Sequence, residues 1–400
     1  MKLFAQHGFG PGDKIVGASN EHILDGVIYS ARYASSDHLS SEITEIQRSR
    51  ADSEIMLDPE FYASLVAGTP NAHLGRLEEW SYFKPSRRNE LESADAVRTV
   101  LESAFQAVAA LPLTSVIAPN IYISRSFDSI EALIAKNFIR LTRSVHEHSY
   151  DKRAVYATLA VNREAFMNPQ EFISFVNDLT VMDRPPDGFY VLVGGGLNDE
   201  RTDVSGSEII NAHVIGGWMF LNHVLNVNGF RVINGCSDIL APLLLAAGGD
   251  AGASGWWTNL RMFSMSRYVR TATGGRQPQV RYLSRALFDR VVHSELEAFS
   301  ALLPQVMNSL PHDVDYQAEG VPTKTEEALQ NWEALRQMIQ LFCSRDVAGN
   351  LVQLGTALSE AEQHWTALSA MGLSVNVEGR SEYLGALRDA IDVFKRYAEI

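Results

Sequence analysis

The sequence is poor in cysteine and has no long apolar segment. Cys236 and Cys343 are the only cysteines among 400 residues, which excludes a multi-disulfide framework or a cysteine-rich zinc site within the chain. The longest apolar run, 239–247, is interrupted by Pro242 and is too short to cross a bilayer, and the first residues contain no hydrophobic signal region. We therefore expect a cytoplasmic protein without membrane contact.

The sequence also lacks internal repeats and an excess of basic residues. The absence of a 20–50-residue period excludes solenoids and propellers. With 34 basic and 48 acidic residues, the formal charge of −14 argues against nonspecific polyanion binding by the whole surface, but a local basic site remains compatible with it. The segment 7–14 lacks the spacing of a P-loop, and His146 and His148 lie two residues apart on a predicted helix, where they face different directions. Neither a cofactor nor a metal ion is predicted.

Short β-branched or aromatic runs alternate with longer helical patterns along the first part of the chain. Seven such runs lie at 26–31, 54–58, 114–120, 154–162, 188–196, 230–236 and 250–255, and an eighth strand can come from 2–8 or from 279–284. Apolar strands that each lead into a helix are typical of a parallel sheet buried on both faces. Their number and spacing predict a (β/α)8 barrel over 1–288, with an irregular insertion near 64–88.

The pattern becomes helical after about residue 288. Helices are predicted at 289–309, 325–345, 348–371 and 380–398, so that 289–400 form an all-helical C-terminal extension. Leu329, Trp332, Leu335 and Ile339 make an apolar stripe that needs to be covered. We expect the extension to pack on the barrel; the alternative is that the stripe joins copies of the chain into a homo-oligomer or a larger assembly.

Polar residues and glycines stand where the predicted strands end, and active sites of (β/α)8 barrels are built at these ends. The candidate ligand-binding residues are Arg32, Asp58, Asn120, Asn162, Gly194, Gly195, Gly196, Asn234, Asp238, Ser254, Trp256 and Trp257. Each Asp, Asn or Ser among them can equally cap a helix or begin a turn. Because so many polar strand ends would meet at the C-terminal mouth of the predicted barrel, we nevertheless favour a ligand-binding pocket there.

The order of these motifs resembles the tRNA-guanine transglycosylases, (β/α)8 barrels that exchange a guanine base in tRNA. EIMLDPEFYASL (54–65) is similar to the family's strand that ends in Asp, and GFYVLVGGGLNDE (188–200) resembles its glycine-rich strand end against the base. FRVINGCSDILAPLLLAAGGDAGAS (230–254) resembles the segment that leads to the nucleophilic Asp, whose place falls at Ala253 or Ser254. Asn120 stands where the family has a second acid.

This resemblance implies catalytic positions at Asp58, Asn120 and Ser254 and a role in tRNA modification. The nucleophilic Asp and the family's zinc site are not matched. Read without the family, 230–254 is also typical of barrels that form a phosphate site from their last loops and a short helix N-terminus. That interpretation points to a small phosphorylated metabolite.

An arginine-rich window follows the last predicted strand. Seven arginines, against the single acid Asp289, lie at positions 261, 267, 270, 276, 281, 285 and 290. The bidentate guanidinium fork suits phosphate, and nearby aromatic residues can stack on bases. We expect Arg261, Arg267, Arg270, Arg276 and Arg281 to contact phosphates, the alternative being that the window pairs with the acidic helical extension.

The sequence therefore predicts a barrel that binds nucleic acid or a nucleotide, with chemistry on a base or glycosidic bond around Asp58. Two alternatives stay open. One is a barrel enzyme that acts on a small phosphorylated metabolite, and the other is a catalytically inactive barrel that serves as an interaction subunit.

Overall fold

The computed structural model describes residues 1–10, 12–149, 151–197, 204–270 and 279–400. The strands are β1 (Lys2–Gln6), β2 (Gly26–Ser30), β3 (Glu54–Asp58), β4 (Ser115–Ala118), β5 (Tyr122–Ile123), β6 (Ala154–Asn162), β7 (Gly188–Gly195), β8 (Arg231–Asn234), β9 (Ala251–Ser254), β10 (Phe263–Ser264), β11 (Arg281–Ser284) and β12 (Asp289–Val292). The α-helices are α1 (Asp13–Asn20), α2 (Ser36–Ser49), α3 (Ala94–Val108), α4 (Ile130–His148), α5 (Pro169–Thr180), α6 (Ala212–Val227), α7 (Ala241–Ala246), α8 (Thr258–Arg261), α9 (His293–Leu302), α10 (Val314–Gln317), α11 (Lys324–Phe342), α12 (Val347–Ala370) and α13 (Val377–Ala398).

Eight parallel strands form the barrel in chain order: β1, β2, β3, β4, β6, β7, β8 and β9. β9 pairs back with β1, with Ala253 opposite Phe4. Between β3 and β4, the backbone N–H of Thr114 donates to the carbonyl of Ile55 at 2.9 Å. The predicted (β/α)8 fold is confirmed, and its eighth strand is β1. The other candidate, 279–284, contributes β11, which pairs antiparallel with β12 outside the barrel.

The central strands are buried on both faces. Every residue of β7 is buried, and only the first residue of β6 is partly exposed, as expected for parallel strands between a packed barrel interior and a layer of helices. Helix α6 is predominantly apolar and mostly buried, and α13 packs against it. A Cβ at Gly216 of α6 would lie 2.7 Å from the side chain of Val393, so the glycine permits this close approach.

The C-terminal helices complete the outer layer. Helix α8, which follows β9, has only four residues, and α11 packs against α1, α7 and β1 in its place. The Trp332 indole N–H donates to the carbonyl of Ser254 at 2.9 Å, and Arg336 pairs with Asp25 at 2.9 Å. The region after 288 begins with strand β12 and not with the predicted helix at 289. The division of the chain into 1–288 and 289–400 stays a prediction.

None of the described helices is long and apolar enough to cross a membrane.

Candidate functional site

A cleft of about 810 Å³ opens at the C-terminal mouth of the barrel, beside the loops that follow β1 and β2. The described residues that line it are His7, Gly8, Phe9, Gly10, Arg32, Tyr33, His38, His73, Gly75, Arg76, Asn259 and Arg267. Three of them are arginines and three are histidines, and no carboxylate is among them. The cleft therefore favours a negatively charged ligand.

Arg32 lies at this cleft and is almost completely buried, with 2% of its surface exposed. Its Nη2 donates to Nδ1 of His73 at 2.9 Å, and its guanidinium lies 5.1 Å from the rings of both Tyr33 and Tyr268. A guanidinium can only donate, so Nδ1 of His73 is the acceptor. Nε and Nη1 of Arg32 have no hydrogen-bond partner among the described residues. Two buried donors of this arginine are thus left for a ligand.

Arg267 is the second buried arginine of the cleft, with 7% of its surface exposed. Its Nη2 donates to the carbonyls of Asn259 and Met262 and lies 3.6 Å from Sγ of Cys236. Its Nε has no hydrogen-bond partner in the described part of the chain. Within the described residues, neither Arg267 nor Arg32 forms an ion pair with a carboxylate. Both guanidinium groups are therefore buried without a direct ion pair in the described part of the chain, and the charge of Glu60 acts on Arg267 from a distance.

His7 adds an uncharged polar group to the same cleft. Burial, followed by the nearby His38 and Lys14, lowers the pKa of His7 to about 3, so its imidazole is neutral at physiological pH. The ring packs against Tyr29 at 5.0 Å and Trp256 at 5.9 Å, and Nδ1 has no hydrogen-bond partner among the described residues. A neutral imidazole can donate or accept one hydrogen bond without adding charge.

The carboxylate pair Asp58 and Glu60 is buried within the mouth of the barrel. Oδ2 of Asp58 accepts hydrogen bonds from the hydroxyls of Tyr62 at 2.8 Å and Tyr190 at 3.0 Å, and Oδ1 accepts the backbone N–H of Glu60 at 2.9 Å. Burial, followed by the charge of Glu60, raises the pKa of Asp58 to about 7. A carboxyl group that titrates near neutrality suits acid–base chemistry.

Glu60 is the second carboxylate of the mouth, and it was not among the residues predicted from the sequence. It accepts hydrogen bonds from the hydroxyls of Ser30 and Tyr268, the latter at 2.6 Å. Its φ of 49° is left-handed, which is unusual for a residue with a side chain, and its N–H bond to Asp58 helps to hold this geometry. The signal available in the sequence was an acid two residues after the strand-ending Asp58. Because Arg32 stacks over Tyr268, the carboxylate pair is connected to the cleft through that ring.

Asn120 and Asn162 satisfy backbone groups and do not line the cleft. Nδ2 of Asn120 donates to the carbonyl of Thr158 at 2.7 Å. Asn162 accepts the N–H of Glu164 at 3.1 Å and donates to the carbonyl of Ser124 at 3.0 Å. Both residues thus have the backbone-binding roles that the sequence left as the alternative.

The glycines at the end of β7 make room for another strand. A Cβ at Gly194 would lie 1.9 Å from the carbonyl oxygen of Phe263 in β10. The carbonyl of Gly195 accepts the hydroxyl of Tyr122 at 2.9 Å, and that of Gly196 accepts the hydroxyl of Ser264 at 3.1 Å. The transglycosylase resemblance implies that a base lies against these glycines; at Gly194 the backbone of Phe263 takes that place.

The loops after β8 and β9 are held by buried polar pairs. Ser254 donates its hydroxyl to Asp238, which forms a buried ion pair with Arg290 at 2.8 Å. Asn234 points toward α6, where it accepts the indole N–H of Trp218 at 2.8 Å. The structure thus brings Ser254 to Asp238 but brings neither of them, nor Asn234, to the cleft.

Trp256 and Trp257 form hydrogen bonds with the loop after β1. Both indole N–H groups donate to the carbonyl of Phe9, at 3.1 and 2.9 Å. These two tryptophans therefore position one wall of the cleft.

The arginine-rich window is divided between internal pairing and the cleft. Arg261 forms a buried ion pair with Glu327 of α11 at 3.3 Å. Among the described arginines of the window, Arg267 alone lines the cleft. Arg270 is exposed, Arg281 is half-buried in β11, and Arg276 lies outside the described residues. Arg261 thus pairs with the helical extension, as the alternative predicts, whereas Arg290 pairs with Asp238 in the loop after β8.

Among the described residues, no group of three or more His, Cys, Asp or Glu side chains is arranged to hold a metal ion.

No protein-family description matches this chain, and no curated protein matches it. Among solved structures, it is similar to a glycoside hydrolase family 3 beta-N-acetylglucosaminidase from Paenibacillus sp., with 13% identity, a TM-score of 0.43, and coverage of 97% of this chain and 67% of that one. It is also similar to the carboxyl transferase domain of Rhizobium etli pyruvate carboxylase, with 9% identity, a TM-score of 0.32, and coverage of 100% of this chain and 61% of that one. At these scores the activities of the neighbours carry no weight, and the barrel is identified by its own strand order. These similarities lend no support to the transglycosylase resemblance.

Proposed function

We propose that the protein is a barrel enzyme that acts on a small phosphorylated metabolite, whose phosphate binds to Arg32 and Arg267. The observation that carries this proposal is that two buried guanidinium groups line one cleft, have free N–H donors and lack a carboxylate partner among the described residues.

The energetics of burial support this proposal. A buried charge without a partner costs several kcal/mol, because the interior replaces its hydration poorly. A phosphate can accept charge-assisted hydrogen bonds from both arginines and offset that cost. The cleft volume of about 810 Å³ lies within the range of roughly 300–1,000 Å³ that is typical of small-molecule sites.

The groups around the phosphate position suit polar chemistry on the attached molecule. Neutral His7 can donate a hydrogen bond to a substrate oxygen, as a polarising group that adds no positive charge. We assign Glu60 a positioning role, because it accepts the hydroxyl of Tyr268 and so holds that ring beneath Arg32. Asp58 supports Glu60 by accepting its backbone N–H.

Binding of a polynucleotide by the arginine-rich window has less support, because Arg261 and Arg290 pair with acids inside the protein. Binding of a single nucleotide belongs to the proposed class of ligand. Base or glycosidic-bond chemistry at Asp58 has no geometric support beyond the near-neutral pKa of that residue.

Isothermal titration calorimetry tests the proposal with a sugar phosphate, inorganic phosphate and a single-stranded oligonucleotide, at low and high salt. We expect Arg32→Gln and Arg267→Gln each to weaken sugar phosphate binding about 10- to 150-fold, since a hydrogen bond to a charged group contributes roughly 1.5–3 kcal/mol. Arg184→Gln is the matched control, because Arg184 is exposed in the loop before β7, at the opposite end of the barrel.

Unchanged affinity in both cleft variants would refute the anion site. Tight oligonucleotide binding with a steep salt dependence, and no binding of the sugar phosphate, would favour a polynucleotide ligand instead. Circular dichroism of each variant checks that it is folded.

A further inference from the structure

A large aromatic side chain stands exposed at the rim of the cleft. Phe9, in the loop after β1, is 72% exposed although it lines the cleft beside Arg32 and Tyr33. Burying an aromatic side chain removes some 150–250 Å² of surface from water, so contact with a ligand ring would be favourable here.

The backbone that carries Phe9 is fixed from several sides. Its carbonyl accepts the two indole N–H bonds from Trp256 and Trp257, at 3.1 and 2.9 Å. A Cβ at Gly8 would lie 2.4 Å from the side chain of Leu260, and Gly10 has a φ of 114°, which favours glycine. Two glycines and two tryptophans thus present the phenyl ring at this one place.

Phe9 and Tyr33 together form an aromatic wall that leads to the anion site. Their ring centroids are 6.3 Å apart at an interplanar angle of 64°, and Tyr33 lies in turn 5.1 Å from the guanidinium of Arg32. The exposed ring of Phe9 is therefore connected to the buried guanidinium of Arg32 through a single side chain, that of Tyr33. One molecule with a ring at one end and an anionic group at the other can occupy both.

We propose that the cleft selects phosphorylated compounds that carry a flat ring, with the ring against Phe9 and Tyr33 and the phosphate at Arg32 and Arg267. This inference rests on the proposed anion site and specifies its substrate class as nucleotide-like or aryl phosphates. Stacking on an aromatic side chain tolerates different ring systems, because each has a π-face. The class is therefore defined by ring and charge, and not by one base.

Calorimetric titrations with paired probes test the inference. Adenosine 5′-monophosphate and phenyl phosphate carry the ring, whereas ribose 5-phosphate and inorganic phosphate do not. We expect the ring-bearing probes to bind the native protein more tightly. Phe9→Ala should weaken their binding about 5- to 150-fold, the range that corresponds to the loss of one stacked ring, and leave the ring-free probes unchanged.

Two variants control this experiment. Phe9→Trp keeps an aromatic face and should restore the preference for ring-bearing probes. Val181→Ala removes a side chain that is 76% exposed, just after α5, and should change nothing.

The outcomes separate this inference from the proposal on which it rests. If Arg32→Gln weakens all four probes but Phe9→Ala weakens none, the ring subsite is refuted and the anion site stands. If no probe binds the native protein, both are refuted. If Phe9→Ala changes only the oligomeric state in gel filtration, Phe9 contacts a second copy of the chain, and the ring subsite is again refuted.

Discussion

Asp58→Asn should remove a pH dependence from the stability of the protein. Burial and the charge of Glu60 raise the pKa of Asp58 from 3.8 to about 7 in the folded state. Between these two values the folded protein keeps a proton that the unfolded chain releases. The free energy of unfolding therefore falls as the pH rises through this window, and the effect is complete above about pH 7.

The size of the effect follows from the shift. One proton corresponds to a slope of up to about 1.4 kcal/mol per pH unit, and a shift of about three units corresponds to about 4 kcal/mol at most. Asn cannot ionise, but its carbonyl oxygen can still accept the hydroxyl of Tyr62 or Tyr190. The stability of the variant relative to that of the native protein should therefore rise from pH 5 to about pH 7 and stay level above it, apart from a pH-independent cost where the new amide NH2 faces a hydrogen-bond donor.

Urea denaturation at pH 5, 6, 7 and 8 measures this difference, with Asp392→Asn as the control because Asp392 is exposed on α13. Parallel pH profiles of native protein and Asp58→Asn would refute the argument that Asp58 is held protonated by burial. If Asp58 were exposed to solvent at the strand end, replacing it with Asn would change the free energy of unfolding little at any pH.

Three further variants test the structure. Arg290→Met leaves Asp238 buried without its counter-ion and should lower the free energy of unfolding by about 3–5 kcal/mol in urea denaturation. Gly194→Ala forces a methyl group against the Phe263 carbonyl and should cost about 1–3 kcal/mol, visible as a lower thermal midpoint; an unchanged midpoint would show that β10 moves away without loss. A chain that ends at Pro304 lacks α11 and should aggregate in light scattering, whereas a monodisperse product would show that the barrel is independent.

The barrel could be predicted because its strands are buried on both faces. Segments such as 154–162 and 188–195 are continuous apolar runs, and each is followed by a helical pattern. The hairpin of β11 and β12 could not be predicted in the same way, since 289–292 is too short to distinguish a strand from the start of a helix. The position of α11 depends on packing against α1 and α7, which no local pattern records.

The sequence predicted a pocket at the C-terminal ends of the strands, but only some of the candidate residues lie at the cleft. Arg32 and Arg267 lie at the cleft, and Asp58 lies within the same mouth. Asn120 and Asn162 could not be separated from them, because a strand-ending amide has the same sequence context whether it binds a ligand or a backbone group. A count of charges could not show that Arg261 and Arg290 have acidic partners far along the chain or in another loop.

His7 and His73 are cleft residues that the sequence did not single out. His7 follows β1 directly, so its position at a strand end was an available signal once Lys2–Gln6 was recognised as a barrel strand. His73 comes from the irregular segment near 64–88 and reaches the cleft through a hydrogen bond of its backbone N–H to the carbonyl of Tyr268. A contact between distant loops cannot be predicted from the hydrophobic periodicity of the sequence.

The use of α11 as the covering helix between α1 and α7 has a consequence for synthesis on the ribosome. All eight barrel strands have been translated once β9 is complete, but roughly 90 further residues are needed before α11 ends. At a synthesis rate of about 5–20 residues per second, α11 is complete on the order of ten seconds after β9. Until then the outer side of β1 near β9 is not covered by α11. The nascent chain therefore carries an uncovered apolar seam during that interval, and a chaperone that binds early barrel intermediates would have its target there.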